Sequence, residues 1–183
     1  MGSAFAVPCV DNKNDLTIVG THLENDLIEK IKSNDQIHPT LKTKLSSDIK
    51  FEKFEKLQTI LDQDLDIIVC GVSSIGIEWF VKQISKKYKK EIPIILLTKG
   101  LSILDNELTT LSDKIRTLLS KDGHSEINIS AIKGPCLAAG LANKMRTGTV
   151  IANKDIKESQ SLKEIISTNY YSTEISEDIN GVE

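Results

Sequence analysis

Three segments of the chain carry residue types whose spacing could do chemistry. Leu96-Leu97-Thr98-Lys99-Gly100 sets a lysine between an apolar run and a glycine. An ammonium fixed at a strand's carboxyl end can hold a phosphate or polarise a hydroxyl or carbonyl oxygen. Gly100 would let the backbone turn sharply or a ligand come close. A surface lysine at a strand end is the other reading of the same residues. Ile132-Lys133-Gly134-Pro135-Cys136-Leu137-Ala138 sets Gly-Pro ahead of a helical pattern, which permits a tight turn with exposed N–H donors. Cys136 is a weak hydrogen-bond partner, and no histidine lies near it in sequence as a base, so a buried small residue is expected there and thiol catalysis is not. Asp66-Ile67-Ile68-Val69-Cys70-Gly71-Val72-Ser73-Ser74 runs from an apolar stretch into a glycine and two serines. That is an ordinary strand–turn–helix junction with Ser74 as helix N-cap, or a loop lining a ligand crevice; both can hold at once.

These segments need a scaffold that brings strand ends together. The expected strands are Leu16–Val19, Asp66–Cys70, Ile92–Leu97, Ile127–Ala131 and Thr149–Ala152. Most are β-branched and apolar on both faces, which suits strands covered by helices on both sides. Between them Leu23, Leu27, Ile28 and Ile31 recur at helical spacing, as do Phe54, Leu57, Ile60 and Leu61, and then Ile77, Phe80, Val81 and Ile84. Residues 105–120 and 155–167 repeat the pattern. The alternation predicts an α/β fold with a mainly parallel, doubly wound sheet. Lys86-Lys87-Tyr88-Lys89-Lys90 reads as a solvated helix end rather than a phosphate site. The chain opens on a helical pattern with small residues, Gly2-Ser3-Ala4, suited to close helix–sheet packing. Doubly wound folds open on a strand and a glycine turn, so either the helical start is native or a first strand is missing.

At 183 residues the chain fits one domain able to bury a core without metals or disulfides. A net charge of −3 gives no basic surface for nucleic acid or an anionic membrane, and no apolar run approaches a membrane span. Cys9, Cys70 and Cys136 are odd in number and widely spaced, which fits a reducing compartment. No cluster reads as a metal site, and the first residues do not read as a signal peptide.

Taken together and in order, the segments resemble the NAD(P)-dependent glycerol-3-phosphate dehydrogenases. Met1-Gly2-Ser3-Ala4-Phe5-Ala6 is similar to the tail of the family's G-x-G-x-x-G fingerprint, with Gly2 as third glycine, and a strand ending Val19-Gly20-Thr21-His22 follows. Asp66–Ser74 resembles the fourth strand and the loop along the dinucleotide crevice. Thr98-Lys99-Gly100 resembles the motif that ends the fifth strand. Lys133-Gly134-Pro135-Cys136-Leu137-Ala138 resembles a Ser-Gly-Pro-x-x-Ala turn, with Cys136 where a hydroxyl or amide residue is usual and Gly140 where an acid is usual. Thr147–Asp155 matches a further segment, with Arg146 in place of a proline, and residues 167–183 resemble the stretch before the family's second domain.

The resemblance implies a Rossmann-type NAD(P)-binding domain over residues 1–183, cut at both ends, without its first strand and its C-terminal helical domain. It implies hydride transfer between sn-glycerol 3-phosphate and dihydroxyacetone phosphate, with NAD or NADP, in a cytoplasmic enzyme that is a homodimer at full length. Lys99 would be the catalytic contact and would touch both substrate and coenzyme, Gly134 and Cys136 would line the substrate site, and Gly2, Thr21, His22, Ser73, Ser74 and Ala138 the coenzyme site. The family's proton-transferring lysine follows the match to Gly181-Val182-Glu183, so these residues alone are expected to turn over nothing useful. Because no carboxylate appears after Thr21 and His22 until Glu24, the coenzyme reading leans to NADP or dual use. Another Rossmann-type dehydrogenase, acting on ketopantoate or a hydroxyacid, and a non-catalytic nucleotide-binding remnant are the alternatives.

Overall fold

The computed structural model describes residues 1–88 and 92–183; Lys89 and Lys90 of the lysine run lie outside the described residues. Helix α1 (Gly2–Asp11) opens the chain and leads into strand β1 (Thr17–Val19) and α2 (Asn25–Ser33). A small hairpin of β2 (Ile37–His38) and β3 (Thr43–Lys44) comes next, and then β4 (Lys50–Glu52), which pairs parallel with β1. After α3 (Leu57–Leu61) come β5 (Ile68–Cys70), α4 (Ile77–Ile84) and β6 (Ile94–Leu96). Hairpin β7 (Leu101–Leu104) and β8 (Glu107–Thr110) precedes α5 (Leu111–Lys121), β9 (Ile129–Lys133), α6 (Ala138–Ala142) and β10 (Thr147–Ala152). The chain closes with α7 (Ile156–Ile166), β11 (Tyr171–Ser176) and α8 (Ile179–Val182).

The central sheet runs β11-β10-β9-β6-β5, parallel except where β10 meets β9. Alternate residues explain its two covered faces. Ile94, Leu96 and Ile129 pack with Ile77, Phe80, Ile84, Ile115 and Leu119 of α4 and α5. Ile95, Leu97 and Ile132 point the other way, onto Ala4 and Phe5 of α1 and Leu162 and Ile166 of α7. The next residues of α1, Ala6 and Val7, instead join Ile28, Ile31, Leu45, Ile49 and Phe51 around β1 and β4. One helix thereby fastens the small β1–β4 pair to the large sheet. A doubly wound sheet carries a strand between the edges of β1 and β5; among the described residues none joins them. Val69 of β5 is 40% exposed between buried Ile68 and Cys70, as expected of an edge.

All five expected strands form, with shifted ends, and the α/β, mainly parallel architecture stands. The helix expected over 105–120 begins only at Leu111. Residues 101–110 form a hairpin instead, closed by Asp105 and Asn106 at φ of 50° and 66°, a conformation these two residue types tolerate. Thr110 then caps α5, its Oγ1 accepting the Asp113 N–H at 3.2 Å. Leu23, counted with a helical face, precedes α2 and is exposed. The lysines begin after α4 has ended, and Lys87 pairs with Asp62.

His38 is buried, and its Nδ1 accepts the N–H groups of Thr40 at 3.2 Å and Leu41 at 3.3 Å. Burial holds its pKa below the ordinary 6.5. The native state therefore gains stability above the unfolded-state pKa and loses it as pH falls from there toward the folded value. Protonating Nδ1 would strand both N–H groups, at about 1 kcal/mol each. Urea midpoints should drop between pH 7.5 and pH 5, and His38→Gln should flatten that slope. An unchanged slope in the variant would assign the pH dependence to other groups.

Candidate functional site

Strand β6 ends at Leu96, the Leu97 N–H still donates to the Cys70 carbonyl at 3.0 Å, and residues 98–100 then leave the sheet in a fixed sequence of contacts. Thr98 is buried, and its Oγ1 donates to the Val72 carbonyl at 2.6 Å, tying the end of β6 to the loop after β5. Lys99 is exposed, and its Nζ donates to the Gly134 carbonyl at 2.6 Å, just past β9. Gly100 has φ of 114° and turns the chain into the β7–β8 hairpin, as its residue type allows.

Lys99 overhangs a small pocket whose walls include Met1, Phe5, Leu97, Gly134 and Cys136. Because β10 runs antiparallel to β9, the first residues of β10 and of its parallel partner β11 lie at this same end, and Thr149 and Tyr171 complete the lining. Burial raises the Cys136 thiol's pKa, against a hydrogen bond with Thr147 and the charge of Lys99. A protonated thiol is no nucleophile, in keeping with the sequence. The glycine at 134 has a packing cause: a Cβ there would lie 2.9 Å from the Gly148 carbonyl oxygen and 3.0 Å from the Thr149 Cα.

The second locus adjoins the first through Met1. Helix α1 has no side-chain cap, and its first internal bond runs from the Phe5 N–H to the Met1 carbonyl. The N–H groups of Gly2, Ser3 and Ala4 have no acceptor among the described residues, as a helix start leaves them. A Cβ on Gly2 would meet nothing within 4 Å, whereas one on Gly71 would lie 3.3 Å from the Gly2 Cα. Two glycines thus leave an open cradle over the helix start, with Ser73 and Ser74 following Gly71. Ser74 is not an N-cap. It begins a short 3₁₀ turn, Ser74–Gly76, entered from the extended backbone of Ser73, and neither serine makes a capping bond.

A third locus lies beyond β1. The Thr21 N–H donates to Glu24 Oε2 at 2.9 Å, so the nearest carboxylate is occupied by backbone. The exposed His22 ring stands 5.3 Å from Trp79 and 6.0 Å from Phe54. Ala138 starts α6 and packs, half-buried, in the cluster of Ala4 and Phe5. Lys99, Gly134 and Cys136 therefore share a pocket, Gly2 sits with Gly71, and His22, next to Thr21, stands in an aromatic patch with Phe54 and Trp79.

Sequence reasoning left Phe54, Trp79, Thr149 and Tyr171 without a role in the site, because partners distant in sequence bring them in. It also passed over Lys133, the last residue of β9, whose buried Nζ donates to the Thr98 carbonyl and stands 3.9 Å from Glu183 Oε1. The Glu183 carboxylate accepts the Ser112 N–H at 3.3 and 3.2 Å, at the start of α5. Burial lowers the Lys133 pKa, against the pull of Glu183. A charge ending a strand that is otherwise free of charge, directly before Gly134-Pro135, was the available signal.

A family model described as the N-terminus of NAD-dependent glycerol-3-phosphate dehydrogenase matches residues 1–159. The NADP(+)-dependent glycerol-3-phosphate dehydrogenase of Archaeoglobus fulgidus is 32% identical over 183 residues, covering 100% of this chain and 52% of that protein. A glycerol-3-phosphate dehydrogenase [NAD(P)+] of Mesoplasma florum is 32% identical over 122 residues, 66% of this chain and 35% of that protein. The crystal structure of glycerol-3-phosphate dehydrogenase from Coxiella burnetii superposes with a TM-score of 0.79 at 17% identity, covering 100% of this chain and 52% of that one; at that identity the likeness is one of fold. The chain spans about half the length of the relatives it matches end to end.

Gly134→Ala should be destabilising, by about 1–3 kcal/mol for a methyl forced against backbone. Thermal or urea unfolding measures it. Wild-type stability would mean that β10 yields easily, and close packing would no longer explain this glycine.

Proposed function

This chain belongs to the NAD-dependent glycerol-3-phosphate dehydrogenase family, and on that premise we propose that it is the nucleotide-binding part of an enzyme interconverting sn-glycerol 3-phosphate and dihydroxyacetone phosphate. The observation that carries the proposal is Lys99. Its ammonium lies at the carboxyl end of β6, exposed, on the rim of a pocket shared with Gly134 and Cys136.

The residues fit a dinucleotide coenzyme, NAD or NADP. The free N–H groups at the start of α1, open above Gly2 and flanked by Gly71, suit a pyrophosphate. Ser73 and Ser74 supply hydroxyls beside them, and Ala138 closes the wall from α6. The partly exposed rings of His22, Phe54 and Trp79 offer a face for a planar base, with Thr21 and His22 toward its ribose. When bound, the coenzyme supplies hydride exchange with the secondary carbon of the substrate. The chain's own part is binding and electrostatics. Lys99 exchanges the Gly134 carbonyl for a substrate phosphate or carbonyl oxygen, and its fixed charge stabilises negative charge building there. Cys136 keeps its proton and fills space. Proton transfer is assigned to a lysine in the portion of the relatives that this chain does not span. At full length we expect a homodimer acting in the cytoplasm; no helix among the described residues is long and apolar enough to cross a membrane.

In a protein of its relatives' full length, Lys99→Ala should lower kcat/KM for dihydroxyacetone phosphate on the order of a hundredfold, the loss of one preorganised electrostatic contact. Stability should hardly change, because an exposed strand-end lysine packs little. Full activity at unchanged stability would remove Lys99 from the site, and turnover of ketopantoate in place of dihydroxyacetone phosphate would move the chain to that reaction.

The coenzyme reading follows from Glu24. With its carboxylate held by the Thr21 N–H, it is not free for the ribose hydroxyls that an NAD-specific acid binds. NADPH should therefore serve at least as well as NADH in kcat/KM. A strong preference for NADH would refute this.

A further inference from the structure

We propose that Lys133 is a positioning residue for Lys99, an inference that rests on the reading of Lys99 as the substrate contact. Two strand ends are cross-tied here. The Lys133 ammonium, from β9, holds the Thr98 carbonyl next to Lys99, and the Lys99 ammonium, from beyond β6, holds the Gly134 carbonyl next to Lys133. The two links lie on opposite faces of the sheet. Lys133 shares its face with Ile129 and Ala131, whereas Lys99 reaches the pocket beside Leu97 on the α1 side.

Thr98 is thus held at both of its polar ends, its hydroxyl by Val72 and its carbonyl by Lys133. The backbone gains freedom only at Gly100, with φ of 114°. Lys99 springs from the one residue between these points, so its reach over the pocket is set by the Thr98 anchor. The Lys133 and Glu183 side chains are 7% and 0% exposed. A charge in such a place costs folding energy unless it is balanced. Glu183 balances it from 3.9 Å while accepting the Ser112 N–H of α5. An apolar residue would end β9 without that cost, but it would leave the Thr98 carbonyl without its partner and the strand end carrying Lys99 with one tie fewer.

Lys133→Met alone would strand Glu183 and could unfold the protein. Lys133→Met/Glu183→Gln removes both charges at similar volume. In the full-length protein this double variant should lower kcat/KM for dihydroxyacetone phosphate by about tenfold or more, as small displacements of a positioned group do. Coenzyme Kd should stay within about twofold, since the α1 cradle is untouched. Made in the Lys99→Ala background, the same pair should cost nothing further, because a positioning effect vanishes with the group it positions. An equal loss in both backgrounds would mean general damage and overturn the proposal, as would no loss at all. A silent Lys99→Ala would sink the functional reading instead. Positioning is then decided by amide hydrogen exchange at Lys99 and Gly100, which should be on the order of tenfold faster in Lys133→Met/Glu183→Gln; unchanged exchange overturns it.

Discussion

Every backbone carbonyl and amide taken out of water needs a partner, and the carboxyl end of β6 is where this demand is hardest to meet. β6 is buried on both faces and paired on both sides, by β5 and β9. When the strand ends at Leu96 the chain is still inside the protein: Leu97 and Thr98 are 5% and 7% exposed. The carbonyls there cannot turn to solvent. Side chains must tie this end of the sheet: Lys133 donates to the Thr98 carbonyl, while the Thr98 hydroxyl and Lys99 donate outward to the Val72 and Gly134 carbonyls of the neighbouring strand ends. The candidate site is what this solution looks like from the α1 side.

The two lysines answer the same demand with opposite consequences. Lys133 is enclosed, balanced by Glu183, and has nowhere else to go. Lys99 is exposed, pairs with a single carbonyl, and can leave it for an anion at little cost, since an ammonium carries three donors on a flexible stem. The difference follows from the side of the sheet. On the α4–α5 face the strand end is roofed by the start of α5 and by Glu183 after α8; on the α1 face it opens onto the pocket walled by Met1, Phe5 and Cys136. The same carbonyl-holding chemistry is thus structural on one face and available to a ligand on the other.

Much of the framework was legible in the sequence, because β5 and β6 lie in isoleucine-, leucine- and valine-rich runs and β9 carries isoleucines on both faces, as a doubly covered sheet requires. The glycine at 100, the small residues of α1 and the helix at 77–84 declared themselves in the same way, through local chemistry. What stayed hidden depended on distant partners. Residues 105–110 carry enough leucine and charge to pass as helix, and only the left-handed Asp105-Asn106 pair, with Ile103 opposite Leu108, makes them a hairpin. Tyr171–Ser176 reads as polar and becomes a strand because β10 offers it an edge. Gly134 carried a ligand-side reading, and the backbone of β10 adds a packing cause that the sequence did not show. Ser74 looked like a cap and is not one.

The reversal at β10 accounts for the rest of the site. Had β10 run parallel to β9, as the alternating pattern implied, its first residues would lie at the far end of the sheet, and the pocket below Lys99 would be open on that side. Running antiparallel, it returns from α6 directly into the site. Thr149 and Tyr171 then stand where only carboxyl ends of strands were expected. The return also presses Gly148 and Thr149 so close to residue 134 that no side chain fits there. That closeness leaves Gly134 without a side chain and its carbonyl facing Lys99. The glycine, the lysine's resting contact and the enclosure of the pocket are therefore three results of one strand's direction, which a single apolar run such as Thr149–Ala152 cannot encode by itself.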